Sequence, residues 1–547
     1  MEPATGASPA STGPWVTLAQ DQLLRSGPFP RGGLARGISD GRLLLTPDAN
    51  ARALALARIR ATGATVVRVG VDWHDWVDAH PPAGFDARDP ASPSYRFERV
   101  DAAVRDAVAA GEQPLLVVSH APAFAEAPHR WAYAYGGSWA PDPAALEAFA
   151  TALARRYDGS FPDPLAPGRS LPRVSMFQAW NEPNLARYLE PQWVVQNGHW
   201  SAFSPLLYRQ LLNAFYAGVK SVQPAALVVA AGVAPNGEPD GQGRMAPLRF
   251  LEGMLCLSAG ANHPCADPPH FDVLSFHPLS VGDPDVPASS SLNVSIADTS
   301  KVTSLLARAR RRHTALPDGP KPVWVTELNW TSAPSSSSST PLSSTDAPPS
   351  SSGVPARLQA RWVSRALHRL WVAGVGLVDW QFLVDPYPAL KLAGPLGGDA
   401  VALSRPAGLY SAGAGGDPAA ALPKAFLHGF TFPFDPLRVD RKHVRVWGLL
   451  RARAQRVVLQ RQAHDRSWHT LARLHADRHG VLNVLVRLTG SARLRLRSVG
   501  LSSAPQSVSG RRVALPRPGA SGTLIKRLAR GGGGAEQPMR LVRAPER

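Results

Sequence analysis

The sequence predicts an α/β protein, a (β/α)8 TIM barrel followed by a small antiparallel β-sandwich-like domain. Three observations predict this fold. Strand-like and helix-like segments alternate from about residue 31 to 435, and the strands number about eight. Polar residues directly follow several of these strands, so they gather at one end of a barrel. After residue 435 the pattern changes to short alternating strands separated by turns, which is typical of antiparallel sheets.

The strands and helices of the barrel can be assigned in order. The apolar run 43–45 belongs to the first strand or to the approach to it. The other strands are rich in β-branched and aliphatic residues, and we expect them at 65–71, 113–120, 176–180, 226–231, 271–277, 322–328 and 376–382. The helices carry apolar residues at helical spacing, and we expect them at 50–62, 100–110, 142–157, 205–222, 248–257, 299–313 and 356–373.

Composition divides the chain into four parts. Residues 1–30 lack periodicity and are predicted to form a flexible arm. The barrel covers 31–435 and is interrupted by a Ser/Pro-rich, low-complexity insertion at 332–353. The small β-domain covers 436–504. Residues 505–547 are rich in Ser, Pro, Gly and Arg, and they are predicted to be a disordered basic tail.

The overall composition narrows the class of protein. The chain has 547 residues, of which 44% are hydrophobic, so a large core can form. We expect no membrane span, because no apolar run approaches the roughly 20 residues that a span requires. The net charge is +18. Because the arginine richness runs along the whole chain, we interpret it as a compositional bias and expect no nucleic-acid partner. Separately, we expect the protein to be a monomer.

Two cysteines, Cys256 and Cys265, are the only ones in the chain. Their spacing suits a small disulfide loop in an oxidising compartment, and the alternative is two unpaired thiols. Two sulfurs do not make a zinc site, although His263 and His270 are near, so we expect no metal there. The first residues show no basic segment followed by an apolar one, so no signal peptide is evident. The protein then stays inside, or a signal lies upstream, or export is unconventional.

Two predicted strands end in a glutamate. The run 176–183 closes with Asn181, Glu182 and a proline, and the run 322–330 carries Glu327 in the equivalent place. Hydrolysis of an acetal needs a proton for the leaving oxygen and a nucleophile or stabiliser for the sugar carbon, and two carboxyl groups can supply both. No other pair of carboxylates is placed on two strand ends in this way. Asn181 adds a neutral group that can hydrogen-bond a sugar hydroxyl.

This pattern resembles that of the retaining glycoside hydrolases of clan A, which include the family 5 cellulases and mannanases and the family 39 xylosidases. The resemblance covers roughly residues 35–435. It implies that Glu182 is the acid/base, that Glu327 is the nucleophile, and that no metal or organic cofactor takes part. It also implies a carbohydrate substrate. Together with the cysteine pair, it suggests an extracellular or cell-envelope location.

The resemblance also implies four residues that orient the nucleophile or line the sugar subsite. These are Arg68 on the second strand, His120 on the third, His277 on the sixth and Trp380 on the eighth. Arg68 would keep Glu327 ionised by its charge. One position departs from the pattern, because family 5 often has a tyrosine where this chain has Leu279. The insertion after the seventh strand is also unusual.

Each assignment has a structural alternative. Asn-Glu-Pro can begin a helix, Arg68 can be a structural ion-pair partner, the two histidines can be satisfied within the barrel, and Trp380 can belong to the core. Two other functions remain open, a carbohydrate-binding barrel without catalysis and a nucleic-acid-associated protein acting through its basic C-terminal part. A retaining enzyme predicts carboxyl groups about 5 to 5.5 Å apart. The sequence does not indicate the sugar or the linkage.

Overall fold

The computed structural model describes residues 33–258, 265–280, 282–333, 353–386, 406–451 and 456–510. The predicted N-terminal arm, nearly all of the Ser/Pro-rich insertion and residues 511–547 of the predicted tail lie outside the described residues.

Eight parallel strands close into a barrel, so the predicted fold class is confirmed. The barrel region contains ten strands, eight of which form the barrel. In chain order they are β1 Ala35–Ser39, β2 Val66–Asp72, β3 Gln113–Ser119, β4 Met176–Ala179, β5 Trp193–Gln196, β6 His199–Ala202, β7 Leu227–Val233, β8 Val273–Phe276, β9 Val323–Leu328 and β10 Val375–Gln381, all among the described residues. β5 and β6 form a separate hairpin after β4. The other eight are joined in the order β1-β10-β9-β8-β7-β4-β3-β2.

Helices connect the strands, as the alternating pattern requires. They are α1 Gly41–Leu44, α2 Ala49–Thr62, α3 Glu98–Ala109, α4 Pro143–Arg156, α5 Ser204–Val222, α6 Pro247–Met254, α7 Thr299–Arg311, α8 Ala356–Val372 and α9 Ala425–Thr431. The ends of α2 show why the pattern predicts them: the Asp48 carboxylate accepts two N–H groups of the first turn, and Gly63 closes the helix at φ 80°. Among the described helices, none combines the length and the apolar character that crossing a bilayer requires.

The first strand lies earlier in the chain than the apolar run 43–45, at or near which the sequence predicts it. β1 covers residues 35–39, whereas Leu43 and Leu44 belong to α1. β1 pairs with both β2 and β10, and this double pairing closes the barrel. Leu44 is buried, but from a helix. A short apolar run indicates burial and does not by itself distinguish a strand from a helix.

The inside of the barrel has an apolar floor and a polar upper layer. The floor consists of inward-facing side chains of the strands, namely Val66, Leu115, Val117, Met176, Leu227, Val229, Val273, Trp324 and Leu377. Two residues further along four of the strands, the inward positions become polar, with Arg68 on β2, Gln178 on β4, Thr326 on β9 and Asp379 on β10. The outward residues pack against the helices in one large core. The polar layer therefore lies at the carboxyl ends of the strands.

The C-terminal region is antiparallel, as predicted. Its strands are β11 Phe434–Arg438, β12 His443–Leu449, β13 Arg456–Gln462, β14 Trp468–His475, β15 Val481–Arg487, β16 Ala492–Ser498, β17 Leu501–Ser502 and β18 Gln506–Val508. One sheet has the order β11-β12-β15 and the other β14-β13-β16-β17, with β18 also on β16. A separate apolar cluster lies within this region. β18 falls inside the range predicted as tail, so the β-domain extends beyond residue 504.

The β-domain is braced against α8 of the barrel. The Asp435 carboxylate on β11 is 3.0 Å from Arg365 Nε and 2.7 Å from His368 Nδ1. The His368 ring stacks on Trp447 of β12 with a centroid distance of 4.8 Å and an interplanar angle of 12°. These contacts hold the domain beside the helix that leads into β10.

Candidate active site

Glu182 reaches the mouth of the barrel through a strained turn after β4. Trp180 and Glu182 have φ angles of 69° and 40°, in the left-handed region that non-glycine residues rarely adopt. The turn is held in place because Trp180 Nε1 donates to the Tyr188 carbonyl at 2.7 Å and the Glu182 N–H donates to the Gly232 carbonyl at 3.2 Å. Strain of this kind persists only where the surrounding contacts fix it, and it clusters at functional sites.

Glu327 reaches the same region through a β-bulge. Val325 and Leu328 of β9 pair with Val378 and Trp380 of β10, so that two residues of β9 stand opposite one residue of β10. Those two residues are Thr326 and Glu327, which are successive in sequence and yet both reach the interior of the barrel, where Thr326 contacts His277 and Glu327 contacts Arg68. A bulge re-aims a side chain in this way, and bulges are frequent beside active sites.

Arg68 joins the two strand ends. Its Nη1 donates to Glu327 Oε1 at 2.7 Å, its Nη2 to Asn181 Oδ1 at 2.6 Å, and its Nε to Gln178 Oε1 at 3.3 Å. The Arg68 and Glu327 side chains are only 7% and 8% exposed. Charge-assisted hydrogen bonds are strong where water is largely excluded. The guanidinium therefore stabilises the negative charge of Glu327 and fixes its direction.

His277 lies between the two glutamates. Its Nδ1 is 2.9 Å from Glu182 Oε1 and 3.9 Å from Glu327 Oε2, and its Nε2 is 3.0 Å from Thr326 Oγ1. One carboxylate oxygen of each glutamate and a ring nitrogen of His277 all lie within 4.8 Å of one another. The two carboxylates are thus neighbours, although more than a hundred residues separate them in the sequence.

Gly232 leaves the space that this arrangement needs. It has φ 64° and lies in a bulge of β7 against β8. A Cβ atom there would lie 2.8 Å from Gln178 Nε2 and 3.0 Å from His277 Nε2. Glycine fits because it has no Cβ and adopts positive φ without strain.

The two glutamates and His277 are also the kind of set that can hold a divalent cation. The Arg68 guanidinium already neutralises Glu327 at 2.7 Å and would repel a second cation beside it. His277 in turn is engaged on both ring nitrogens, by Glu182 and by Thr326. The donor set therefore suits proton transfer and charge stabilisation better than metal binding.

His120 lies at the end of β3 in a second polar group. Its Nδ1 is 2.9 Å from Asp72 Oδ1, and the Ser119 hydroxyl also donates to Asp72. Burial by itself would raise the pKa of Asp72, but the hydrogen bonds of His120 and Ser119 and the charge of His120 outweigh it and lower that pKa to about 2. The hydrogen bond to the Asp72 carboxylate fixes the orientation of the His120 ring.

Tyr188 lies beside His120 and is a residue that the sequence did not single out. Its ring lies 5.0 Å from that of His120. Burial and, next, the charge of Glu182 raise the pKa of Tyr188 above its ordinary value. The phenol therefore remains neutral beside the acidic pair. Only its place a few residues after the Asn-Glu-Pro turn could have indicated it.

The structure does not bring Trp380 to the site. Its side chain is fully buried and packs against Trp330, Phe426 and Phe430, and its Nε1 donates to the Ala407 carbonyl at 3.2 Å. Successive side chains of a strand point to opposite faces. Since Leu377 faces the barrel interior, the residue of β10 at the mouth is Gln381, which accepts a hydrogen bond from Asn329 Nδ2 at 2.9 Å.

Asp379 is a second residue that the sequence did not single out. It is fully buried below the mouth, and neither carboxylate oxygen has a hydrogen-bond partner among the described residues. Burial raises the pKa of Asp379 well above its ordinary value, and the charge of Arg68 opposes this only in part. Gly37 makes room for it, because a Cβ there would lie 2.6 Å from Asp379 Oδ2.

Cys256 and Cys265 form a disulfide with an S–S distance of 1.98 Å. They lie in the connection between α6 and β8. Connections from a helix to the following strand lie at the amino-terminal end of a barrel. The disulfide is therefore at the opposite end from the glutamates.

Comparison with known proteins finds solved structures with a similar fold. No protein-family model matches the chain, and no curated protein matches it either. Solved structures that match include a family 39 glycoside hydrolase from the gut symbiont Bacteroides cellulosilyticus WH2, with 16% identity, a TM-score of 0.46, and coverage of 85% of this chain and 82% of that chain. A glucosidase from Croceicoccus marinus matches with 16% identity, a TM-score of 0.41, and coverage of 85% and 95%. A GH5_18 from Bifidobacterium longum subsp. infantis matches with 15% identity, a TM-score of 0.42, and coverage of 73% and 78%. At these identities the likeness is one of fold, so the case for an activity rests on the site.

Proposed function

We propose that this protein is a retaining glycoside hydrolase that cleaves O-glycosidic bonds, with Glu327 as nucleophile and Glu182 as acid/base. The observation that carries the proposal is the short distance between the glutamates, which have one oxygen each within 4.8 Å of the other. Retaining enzymes have carboxyl groups about 5 to 5.5 Å apart, whereas inverting enzymes separate them by about 6.5 to 9.5 Å to admit a water. The spacing favours direct attack by a carboxylate.

The partners of the two glutamates support this division of roles. Glu327 accepts from the Arg68 guanidinium, which favours the anionic form that a nucleophile needs. Glu182 contacts the His277 ring on one oxygen only. If His277 carries its proton on Nδ1, it donates to Glu182 Oε1 and accepts the Thr326 hydroxyl on Nε2. Glu182 Oε2 then remains for the proton that the leaving group receives.

The reaction follows from these positions. Glu327 attacks the anomeric carbon while the bond to the leaving oxygen breaks and Glu182 gives that oxygen its proton. A glycosyl ester on Glu327 results. A water then attacks the anomeric carbon, Glu182 takes a proton from it, and the ester bond to Glu327 breaks. Both glutamates return to their starting state.

Polar groups beside the glutamates are suited to hold the sugar. Arg68 occupies the Asn181 oxygen, so the Asn181 amide nitrogen is left to donate to a sugar hydroxyl. His120, whose Nδ1 is held by Asp72, presents its other ring nitrogen. On the eighth strand we assign the subsite contact to Gln381 in place of Trp380. Arg68 and His277 act on the glutamates.

The setting of the enzyme is part of the proposal. A disulfide between Cys256 and Cys265 supports an oxidising compartment, either extracellular or at the cell envelope. The substrate is a carbohydrate, and the expectation of a monomer stays a prediction.

A panel of aryl glycosides and polysaccharides tests the proposal. The full chain should hydrolyse at least one of them, and the Glu182→Gln/Glu327→Gln double variant should be inactive on that substrate while its thermal unfolding remains cooperative. Binding of an oligosaccharide with no product after long incubation would instead identify a carbohydrate-binding barrel.

A further inference from the structure

A cavity of about 740 Å³ lies between the barrel and the β-domain. Its barrel wall is formed by α8 and by Asp285, and its other wall by β11, the end of β13 and the turn after it, β16 and β18. Asp285 follows β8, and Arg361 lies in the first turns of α8, which follows β9. Asp285 also contacts Arg365 and Arg369 in the second half of α8, so the cavity extends along the outer side of the barrel. We call this cavity the interdomain cleft.

The interdomain cleft is positively charged. Five arginines line it, namely Arg361, Arg365, Arg438, Arg461 and Arg493, against two aspartates, Asp285 and Asp435. Both aspartates are already paired. Asp285 contacts Arg365 at 3.0 Å and also Arg369, while Asp435 contacts Arg365 and His368. The excess charge is thus not compensated inside the cleft.

Three of the arginines are left for a ligand. Arg365 is held by the two aspartates, and Arg438 donates to backbone carbonyls, including that of Ser509 at 3.0 Å. The side chains of Arg361, Arg461 and Arg493 are exposed and have no carboxylate partner in the part of the chain that the structure describes. They come from both domains, so their convergence depends on the docking of the β-domain against α8.

The remaining lining indicates recognition by charge and hydroxyl contacts. It includes serine, glutamine and histidine side chains, namely Gln462, His464, Ser491, Gln506 and Ser507. No Phe, Tyr or Trp is among the described lining residues. Single-stranded nucleic acids are bound by aromatic platforms on which bases stack, and such a platform is missing from this lining. The volume lies within the range of about 300 to 1,000 Å³ that small-ligand sites occupy.

Packed aromatic side chains lie between the interdomain cleft and the candidate active site. Arg361 is next to Trp362, whose ring is 6.1 Å from that of Trp330. Trp330 in turn follows Glu327 by three residues. Since Trp330 is buried, a polymer that reaches both sites passes outside this layer, over the surface of the barrel.

We propose that the interdomain cleft is an accessory site for an anionic stretch of saccharide, in which Arg361, Arg461 and Arg493 bind carboxylate or sulfate groups. The planar guanidinium matches both groups with paired hydrogen bonds. The inference rests on the proposed function, since it makes the ligand a segment of the polysaccharide that the glutamates cut. The β-domain then selects charged polymers and holds them beside the barrel.

Calorimetric binding to the full chain carrying Glu182→Gln/Glu327→Gln tests the inference without turnover. The probes are trigalacturonate for carboxylates, a sulfated trisaccharide for sulfates, maltotriose as the neutral control, and a short single-stranded DNA. We expect one of the two anionic saccharides to bind, maltotriose to bind at least tenfold more weakly, and the affinity for the anionic saccharide to fall as NaCl rises from 50 to 500 mM.

A matched pair of variants locates the site. Arg461→Gln/Arg493→Gln should weaken binding of the anionic saccharide at least tenfold, whereas Arg473→Gln/Arg487→Gln, which removes two exposed arginines of the same domain outside the cleft, should leave it unchanged. Equal losses in both variants, equal affinity for maltotriose, or tighter binding of DNA would overturn the inference. Hydrolysis of uncharged aryl glycosides by the wild type is measured separately, so a failure of the cleft is distinguished from a failure of the glutamates.

Discussion

Arg68 Nη1 and Glu327 Oε1 lie 2.7 Å apart and connect β2 to β9 across the inside of the barrel. The same guanidinium holds Asn181, the residue before Glu182. One buried arginine therefore couples the positions of both strand ends. The proposed division between an ionised nucleophile and a protonated acid depends on this contact.

Loss of the Arg68 charge should damage both activity and stability. Arg68→Gln leaves Glu327 buried without a cation, which costs on the order of 3 to 5 kcal/mol of unfolding free energy. We expect kcat/KM on an aryl glycoside to fall by about 100-fold or more, because the nucleophile loses its charge partner and its orientation. Arg156→Gln is the matched control, since Arg156 pairs with Asp101 at 2.6 Å in an equally buried place away from the glutamates. It should cost similar stability and leave kcat unchanged; equal activity of both variants would contradict the role of Arg68.

The hydroxyl of Thr326 should matter through His277. Thr326→Val keeps the shape of the side chain but removes the partner of His277 Nε2 at 3.0 Å. A buried polar group left unsatisfied costs about 1 to 3 kcal/mol. We expect kcat to fall by roughly 10-fold or more with little change in KM, while Thr326→Ser retains most of the activity. Steady-state kinetics of both variants check this, and an unchanged kcat in Thr326→Val would show that His277 needs no second anchor.

Asp379 should make the fold less stable as pH rises. Burial raises the pKa of Asp379 in the folded state, so the folded protein keeps a proton that the unfolded chain releases above about pH 4. The free energy of unfolding therefore falls with pH above that point until the folded pKa is reached. Asp379→Asn removes this dependence, and we expect it to be more stable than the wild type at pH 7 and equally stable near pH 3. Urea unfolding at several pH values measures the difference, and a less stable Asp379→Asn at pH 7 would mean that the group is ionised and paired with Arg68.

Gly232 should be needed for activity because of the space it leaves beside His277, and not only because of its positive φ angle. Gly232→Ala places a Cβ 3.0 Å from His277 Nε2, whereas Gly111, which has φ 85°, has open space around the equivalent atom. Both substitutions carry the cost of an alanine at positive φ, about 1 kcal/mol or more. We expect both to lower the melting temperature, but only Gly232→Ala to lower kcat, by roughly 10-fold or more. A kcat that falls equally in Gly111→Ala would attribute the loss to strain.

Much of the site could be predicted because a barrel collects the ends of its strands. The sequence predicts Glu182, His277 and Glu327 at strand ends and Arg68 within the second strand, and the closed sheet brings strand ends to one mouth. The sequence also carried the signal that excludes Trp380. Alternation from Leu377 assigns residues 379 and 381 to the inner face and 380 to the outer one.

Other features depend on local irregularities or on distant partners. The bulge that aims both Thr326 and Glu327 inward breaks the period of two, and nothing in the run before Glu327 announces it. Tyr188 lies in a connection without periodicity. The pairing of Asp435 with Arg365 and His368 joins two domains, so it follows only from their docking.

Trapping of the covalent intermediate tests the central claim most directly. In a 2-deoxy-2-fluoro aryl glycoside of the sugar found active in the panel, the fluorine destabilises the positive charge at the sugar carbon and the good leaving group keeps the first step fast, so the glycosyl-enzyme accumulates. Intact-protein mass spectrometry should then show the addition of one fluoroglycosyl group, and the labelled peptide should carry it on Glu327. A label on Glu182, or hydrolysis with inversion at the anomeric carbon and no label, would contradict the account.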